Sequence, residues 1–332
     1  MNSFHNLKLI LFFLIICLKA EAASSNNYIL VLNSYSEKSE WAENVQDVVA
    51  RSVYGLKNTT INIESLSNLE FSSVKNASDK MDSLYRNYPQ KPKVIVIIGN
   101  KGWILYRNTV PQSWKKIPVV LTLINHHTLS LQNFISKKRI TSDKLISNKE
   151  AVKGFNVTGV YNLVYIKETI QLMKKMMPEM KRVAFITNSQ YGNTYSIGGF
   201  NRTMKIDFSE LTKVCLYQKK LGTKDLLDSL TKLDKHTGIL FYGWNKDADT
   251  NTSKGYLSSK SVKRIISSFA NTPVFSLFDS KTDHVIFAGG FYSSIDYYSA
   301  KVADVLRQII AGKDAKDIPF QYANEEIGRA HV

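Results

Sequence analysis

Short, continuous apolar runs recur along this chain, and each is followed at once by polar or aromatic residues. Residues 29–32 lead into Asn33-Ser34-Tyr35, and residues 94–98 lead into Gly99-Asn100. Runs that are apolar on both faces are typical of strands buried on both sides of a parallel sheet. The further runs of this kind are PVVLTLI at 118–124, VAFI at 183–186, GILF at 238–241 and VFSL at 274–277.

Helical patterns separate these runs. They cover residues 40–54, 78–87, 166–177, 223–233 and 259–269. Strands that alternate with helices predict an α/β fold with parallel, doubly wound sheets. A chain of 332 residues is long enough for one large α/β domain or for two lobes, each with its own core.

The residues that follow the strands are the candidates for a binding site. In open parallel sheets, ligands bind beyond the carboxyl ends of the strands, where loops and helix N-termini supply hydrogen-bond donors. Any single cluster is better explained as a helix cap or a turn, whereas the whole set predicts a lined cleft. The predicted ligand-binding residues are Asn33, Ser34, Tyr35, Trp41, Asn100, Trp103, Asn125, Tyr161, Asn188, Tyr242, Trp244 and Asp279.

An export signal occupies the N-terminus. Lys8 precedes the apolar segment 9–18, and Ala20-Glu21-Ala22 matches a small-x-small cleavage site, so residues 1–22 are predicted to be a signal peptide. Retention of this segment as a membrane anchor is the alternative. Because the segment directs export in either case, the mature protein is expected to be periplasmic or otherwise extracytoplasmic. Cleavage would leave Cys215 as the single cysteine, which excludes an intramolecular disulfide and a thiolate zinc cage.

Charge and motifs exclude several functional classes. The net charge is +16, but the lysines are scattered and no nucleic-acid-binding motif is present, so no nucleic-acid partner is expected. The chain lacks GxSxG, HExxH and phosphate-loop signatures, so no catalytic residue and no cofactor are predicted. His126 and His127 are adjacent in a predicted loop, where both rings rarely reach one ion, so no metal site is predicted either.

Weak periodicity between residues 126 and 158 interrupts the alternation of strands and helices. We interpret this segment as a crossover with a surface insertion. Lobe 1 is predicted to start with residues 27–125, and lobe 2 is predicted over residues 159–289. An exit segment then covers residues 313–325.

Several stretches of the chain resemble a known family. VLNSYSEKSEW, VIIGNKGW and GGFYSSIDYYSAKVADVLRQIIAGKDAKDIPF are similar to the substrate-binding-protein-like sensor regions of bacterial membrane histidine kinases. More broadly, the chain resembles the type 1 periplasmic binding proteins of ABC transporters. The resemblance implies two Rossmann-like lobes joined by crossing strands, with a small-molecule ligand held between them. It also implies that the helix near residues 295–310 completes lobe 1, which would then cover residues 27–125 together with about 290–312.

Residues 326–332 continue none of these patterns. Ile327-Gly328-Arg329-Ala330-His331-Val332 resembles the translation of a sequencing-library adapter, which predicts a natural reading frame that continues past about Asn324. The leading hypothesis is therefore the ligand-sensing domain of a truncated two-component histidine kinase. Its partners would be downstream membrane and kinase domains that tether it to the membrane, and a second copy in a homodimer. The alternative is a soluble substrate-binding protein of an ABC transporter, and an exported hydrolase is a third, disfavoured class.

Overall fold

The computed structural model describes residues 27–36, 39–56, 58–136, 144–187, 191–217, 222–244, 259–278, 287–323 and 326–330. The predicted signal peptide and the predicted ligand-binding residues Asn188 and Asp279 lie outside these ranges. The described residues form two α/β lobes, each built on a six-stranded sheet that helices cover on both faces.

All neighbouring strands in the sheet of lobe 1 run parallel, as the apolar runs predict. In spatial order, these strands are β13 (Gln321–Tyr322), β7 (Val157–Tyr161), β4 (Val119–Ile124), β3 (Val94–Ile98), β1 (Asn27–Asn33) and β2 (Thr59–Ser65). The helices of lobe 1 are α1 (Glu40–Val53), α2 (Val74–Arg86), α3 (Asn100–Thr109), α4 (Leu131–Ile135), α5 (Asn148–Ala151) and α10 (Ile295–Ile310).

The sheet of lobe 1 separates two hydrophobic layers. Successive side chains of a strand point to opposite faces. Leu30 and Leu32 of β1 therefore pack in the layer formed by α2 and α3. Ile29 of β1 packs in the opposite layer, where Val302 of α10 joins residues of α1. Helix α10 is thus part of lobe 1, although it follows the whole of lobe 2 in the sequence.

Lobe 2 has a second, mostly parallel sheet. Its strands, in spatial order, are β14 (Glu326–Ala330), β12 (Gly289–Ser293), β11 (Val274–Ser276), β10 (Thr237–Phe241), β8 (Arg182–Thr187) and β9 (Thr212–Tyr217). The covering helices are α6 (Ile166–Met176), α7 (Tyr191–Ile206), α8 (Thr223–Leu230) and α9 (Ser259–Phe269). Strand β14 lies within the predicted non-native tail and pairs antiparallel with β12 at the edge of the sheet.

The border between the lobes differs from the predicted one. Strand β7 pairs with β4, so residues 157–161 complete lobe 1 and do not begin lobe 2. Gly159 permits this close pairing, because a Cβ atom at that position would lie 2.3 Å from the carbonyl oxygen of Leu121. Strand β12 pairs with β11, which keeps residues 289–293 in lobe 2 rather than lobe 1.

The segment predicted as a crossover packs onto lobe 1. It contains α4, α5 and a two-stranded antiparallel sheet of β5 (His127–Thr128) and β6 (Ile146–Ser147). Leu129, Leu131 and Ala151 from this segment are buried in the same hydrophobic layer as α2 and α3. The chain passes into lobe 2 only after Tyr161, at the end of β7.

The order of the described strands and helices places crossings between the lobes at three points: after β7, between β12 and α10, and between β13 and β14. Hydrogen bonds tie these crossings together. The Tyr165 hydroxyl donates to the carbonyl oxygen of Ala323 at 3.4 Å, and the Ser293 hydroxyl donates to the same oxygen at 2.8 Å. One backbone carbonyl from the third crossing therefore accepts a side chain from each of the other two. Within the described part of the chain, no helix has the length and apolar character needed to cross a membrane.

Candidate functional site

The turn after β1 is fixed by its own polar side chains. The Asn33 side-chain oxygen accepts a hydrogen bond from the Tyr35 backbone N–H at 2.9 Å. The Ser34 hydroxyl accepts one from the Gly102 N–H at 2.7 Å, which satisfies a donor in the first turn of α3. Asn33 and Ser34 thus lie at the carboxyl end of the sheet, as predicted, and both oxygens hold the backbone there.

Tyr35 extends from this turn toward the gap between the lobes. Its ring lies against Gly99, where an added Cβ would be 2.7 Å from the Tyr35 Cε2 atom. Its hydroxyl donates to the Leu123 carbonyl oxygen at 3.4 Å. Burial raises the pKa of Tyr35, and the neighbouring Tyr242 of lobe 2 raises it further. The phenol is therefore neutral at physiological pH, and its environment includes a residue from the opposite lobe.

Aromatic rings from the two lobes meet across the cleft. Trp41 of lobe 1 lies edge-on to Phe278 of lobe 2, with 6.1 Å between the ring centroids. Phe278 in turn contacts Tyr242 edge-on at 4.9 Å. We call Tyr35, Trp41, Tyr242 and Phe278 the interlobe aromatic cluster. Edge-to-face pairs at such distances are favourable arrangements for aromatic side chains.

Two predicted asparagines lie beside this cluster at the ends of β3 and β4. The Asn100 side-chain oxygen accepts a hydrogen bond from the Asn125 backbone N–H at 3.1 Å, and both residues are buried. The Asn125 carbonyl oxygen accepts another from the Asn148 side chain. The structure therefore brings Asn100 and Asn125 together and joins α3, β4 and α5 at the carboxyl end of the sheet.

Trp103 and Trp244, also predicted for the site, lie inside the two cores. Trp103 is fully buried and contacts Tyr106 and Phe155 in lobe 1. Trp244 is 1% exposed, packs in the core of lobe 2 and donates its indole N–H to the Thr223 hydroxyl at 3.3 Å. These indoles pack against other members of their own lobes and do not join the interlobe aromatic cluster.

Tyr161 belongs to a ring stack near the first crossing. The His126 ring stacks on Tyr161 with centroids 4.2 Å apart, and Tyr322 of β13 lies 5.3 Å from Tyr161. Burial raises the pKa of Tyr161 to about 12 and lowers that of His126. Among the described residues, no group of three or more His, Cys, Asp or Glu residues could hold a metal ion.

His127 faces lobe 2. Its ring lies 5.7 Å from that of Tyr195, a residue of α7. Burial lowers the pKa of His127, and the positive charge of Arg202 on the same helix lowers it further. The imidazole is therefore neutral at physiological pH and forms a second aromatic contact between the lobes.

The side chain of Lys101 points away from the cleft. Its ammonium group donates to the carbonyl oxygens of Ser67 and Leu69 at 3.1 and 2.8 Å. Burial lowers the pKa of Lys101 to about 8. These bonds hold the only lysine of the first turn of α3 on the loop after β2, so it is not directed at a ligand in the cleft.

Sequence reasoning missed three aromatic residues near the cleft: Phe278, Tyr195 and Tyr298. Phe278 immediately precedes the predicted Asp279. It follows the apolar run 274–277 directly, and this position at the end of a predicted strand could have identified it as a candidate for the cleft. Tyr195 and Tyr298 sit in helical segments, where a tyrosine has no local feature that separates a core position from a cleft position.

Comparisons with known proteins agree with the two-lobed architecture. Residues 53–327 match the family model described as ABC transporter substrate binding protein. No curated protein matches the chain significantly.

Solved structures show the same fold at low sequence identity. A conserved domain protein from Vibrio cholerae is 14% identical with a TM-score of 0.61, and 92% of each chain is covered. An ABC domain from Streptococcus pneumonia in complex with L-Trp is 14% identical with a TM-score of 0.58, covering 90% of this chain and 89% of that one. A carbohydrate transporter solute binding protein from Agrobacterium radiobacter, in complex with D-arabinose, is 12% identical with a TM-score of 0.54, covering 92% and 95%. The predicted fold of a type 1 periplasmic binding protein, with two lobes of doubly wound sheets, is confirmed.

Proposed function

The chain belongs to the ABC transporter substrate-binding protein family, and from that membership we propose that it holds a small-molecule ligand between its two lobes and delivers it to a membrane permease. The observation that carries this function is the interlobe aromatic cluster, because its rings come from both lobes and meet at the carboxyl ends of the two sheets. A ligand at that position would contact both lobes at once. The family is a ligand-binding one, in accord with the prediction that this chain is not an enzyme.

The chemistry of the cluster favours a ligand with a flat, apolar face. Trp41 and Phe278 offer aromatic surfaces, and Tyr35 and Tyr242 add hydroxyl groups that stay neutral because burial raises the pKa of each phenol. Two structural relatives were solved with ligands that contain rings, L-Trp and D-arabinose. A sugar or an aromatic ring would stack on such walls and receive hydrogen bonds from the phenols and amides beside them.

A binding screen tests this function. We expect one member of a panel of L-tryptophan, D-arabinose and D-allose, or of related rings, to raise the melting temperature of the purified protein. At a ligand concentration of 100 times Kd, binding stabilises the folded state by about 2.7 kcal/mol. Absence of any shift across an extended panel of sugars, aromatic amino acids and nucleobases would contradict the proposed class of ligand.

Matched variants locate the site. Trp41→Ala and Phe278→Ala each remove one ring of the cross-lobe pair. Both should weaken calorimetric affinity by tenfold or more, since aromatic side chains that a ligand buries on binding typically contribute about 2 kcal/mol or more. Tyr54→Ala is the control, because Tyr54 is 92% exposed and lies at the far end of α1. Unchanged affinity in both cluster variants would place the ligand elsewhere.

The sensor-kinase hypothesis is the second candidate, because the stretches around Asn33 and Gly99 resemble such sensor regions. The sensor is the leading hypothesis from the sequence alone, but the family match favours transport. A long read of the source DNA past codon 324 separates the two. A membrane span followed by a kinase would support a receptor, whereas a stop codon beside permease genes would support transport.

We also propose an extracytoplasmic location, as the predicted signal peptide at residues 1–22 implies. Cell fractionation tests the location, and recovery of the full-length precursor in the cytosol would contradict it. Light scattering tests the homodimer expected for a membrane-tethered sensor, and a monomer at high concentration would weigh against that form.

A further inference from the structure

Strand β4 carries an irregularity just before the cleft. Its residues Leu121 and Ile124 pair with Gly159 and Tyr161 of β7, so three steps along β4 match two steps along β7. Strand β4 therefore contains one extra residue. Leu123, within this irregularity, has a positive φ of 49°, which is uncommon for a leucine. Such bulges interrupt the hydrogen-bond ladder between two strands and are frequent next to functional sites.

The hydroxyl of Tyr298 fills the interruption. It accepts a hydrogen bond from the Leu123 N–H at 2.6 Å and donates one to the Val160 carbonyl oxygen at 2.8 Å. The Tyr298 side chain is fully buried. One phenolic oxygen thus replaces a direct bond between β4 and β7, and it satisfies two backbone groups that water cannot reach.

The same tyrosine contacts the cleft on its other side. Its ring packs against Trp41 with centroids 5.6 Å apart, and Trp41 contacts Phe278 of lobe 2. The carbonyl of Leu123, whose N–H bonds to Tyr298, accepts the hydroxyl of Tyr35. Both lobe 1 members of the interlobe aromatic cluster are therefore held by Tyr298, one through ring packing and one through Leu123.

Tyr298 also lies between two of the three crossings. It belongs to the first turn of α10, directly after the crossing from β12, where Ser294 caps the helix. Val160 is the penultimate residue of β7, directly before the chain first passes into lobe 2. A movement of either crossing therefore strains the two hydrogen bonds of this one hydroxyl.

We propose that Tyr298 is the positioning residue that links the hinge to the cleft: its hydroxyl holds the bulge of β4 against β7 and thereby sets where Tyr35 and Trp41 meet lobe 2. This role rests on the proposed function, because it matters for binding only if the ligand sits between the lobes. It differs from simple core packing, since the phenyl ring alone could fill the same space.

Fluorescence of the ligand-free protein tests the role of the hydroxyl. The other three tryptophans, Trp103, Trp114 and Trp244, are buried, so acrylamide quenching reports mainly on Trp41. Tyr298→Phe should loosen the cross-lobe contact and raise the Stern–Volmer constant by about twofold. Tyr28→Phe is the matched control, because its hydroxyl also donates to a backbone carbonyl in lobe 1, but at the amino end of β1. Equal quenching in Tyr298→Phe, Tyr28→Phe and the parent protein would overturn the proposal.

Hydrogen exchange gives a second readout, which holds even if Tyr298→Phe folds poorly. Tyr35→Phe removes only the bond to the Leu123 carbonyl, and we expect roughly tenfold faster exchange at Leu123 and at the end of β7, with the core strand β3 unchanged. Unchanged exchange at both places would overturn the link between cleft and hinge. Neither the quenching nor the hydrogen-exchange measurement uses a ligand. A failed binding screen would therefore count against the proposed function only, and these two measurements would still test the role of Tyr298.

Discussion

Replacing Gly99 by alanine should damage the wall of the cleft through two separate effects. Gly99 has φ 92° and ψ 159°, a region nearly restricted to glycine, where another residue costs about 1–3 kcal/mol. The added Cβ would also lie 2.7 Å from Tyr35 Cε2 and 3.0 Å from Ser34 Cβ, and overpacking of this kind costs about 1–3 kcal/mol. We therefore expect Gly99→Ala to lower the free energy of unfolding by about 2–6 kcal/mol and to displace the Tyr35 ring.

A second glycine separates the backbone cost from the contact with Tyr35. Gly154 has a similar φ of 85°, but an added Cβ there would meet nothing within 4 Å. Gly154→Ala should therefore carry only the backbone cost of a positive φ, about 1–3 kcal/mol. Urea unfolding of both variants measures the difference, provided that the slope m is unchanged. If Gly99→Ala proves no less stable than Gly154→Ala, the Tyr35 ring is not packed against this turn.

Two further perturbations follow from the site and the hinge. Burial lowers the pKa of Lys101 from 10.5 to about 8, so between these pH values the unfolded chain binds more protons at this residue than the folded protein does. Lys101 therefore makes the free energy of unfolding rise with pH in this range. Lys101→Met should remove that rise in urea unfolding above pH 8, and an equal rise in the parent protein and the variant would contradict the prediction. Tyr165→Phe combined with Ser293→Ala removes the hydroxyl groups of Tyr165 and Ser293 that donate to the Ala323 carbonyl. Spin labels on the two lobes should then report a broader distribution of interlobe distances. An unchanged distribution would show that these hydrogen bonds do not restrain the hinge.

The strands could be predicted from sequence because their signal is local. The run at 94–98 is buried along its whole length, and a strand covered on both faces has to be apolar at every position. The turn after β1 can also be predicted from its residues, since Asn and Ser side chains form local hydrogen bonds to the backbone in such turns. The fold class followed from the order of these elements, without any knowledge of which strands pair.

Side-chain direction could not be predicted in the same way. Asn100 and Trp103 both follow β3 and both were assigned to the cleft, yet Trp103 points into the core, where it contacts Phe155. Which face of α3 meets the core depends on the packing of residues far away in the sequence. The border at 159 was misplaced for a similar reason, because a short apolar strand such as β7 does not reveal which sheet it joins until its partner β4 is known.

Tyr298 shows where this limit matters for function. Its two hydrogen-bond partners, Leu123 and Val160, are 175 and 138 residues away in the chain. A ligand that moves the lobes from 1:99 to 99:1 must favour the closed form by about 5.5 kcal/mol, whereas an aromatic pair such as Trp41 and Phe278 contributes about 0.5–1.5 kcal/mol beyond its buried area. Beyond its buried area, the ring contact therefore supplies only a fraction of such a difference. Both proposed functions depend on movement between the lobes, so the distribution of interlobe distances in the ligand-free protein is the first quantity to measure.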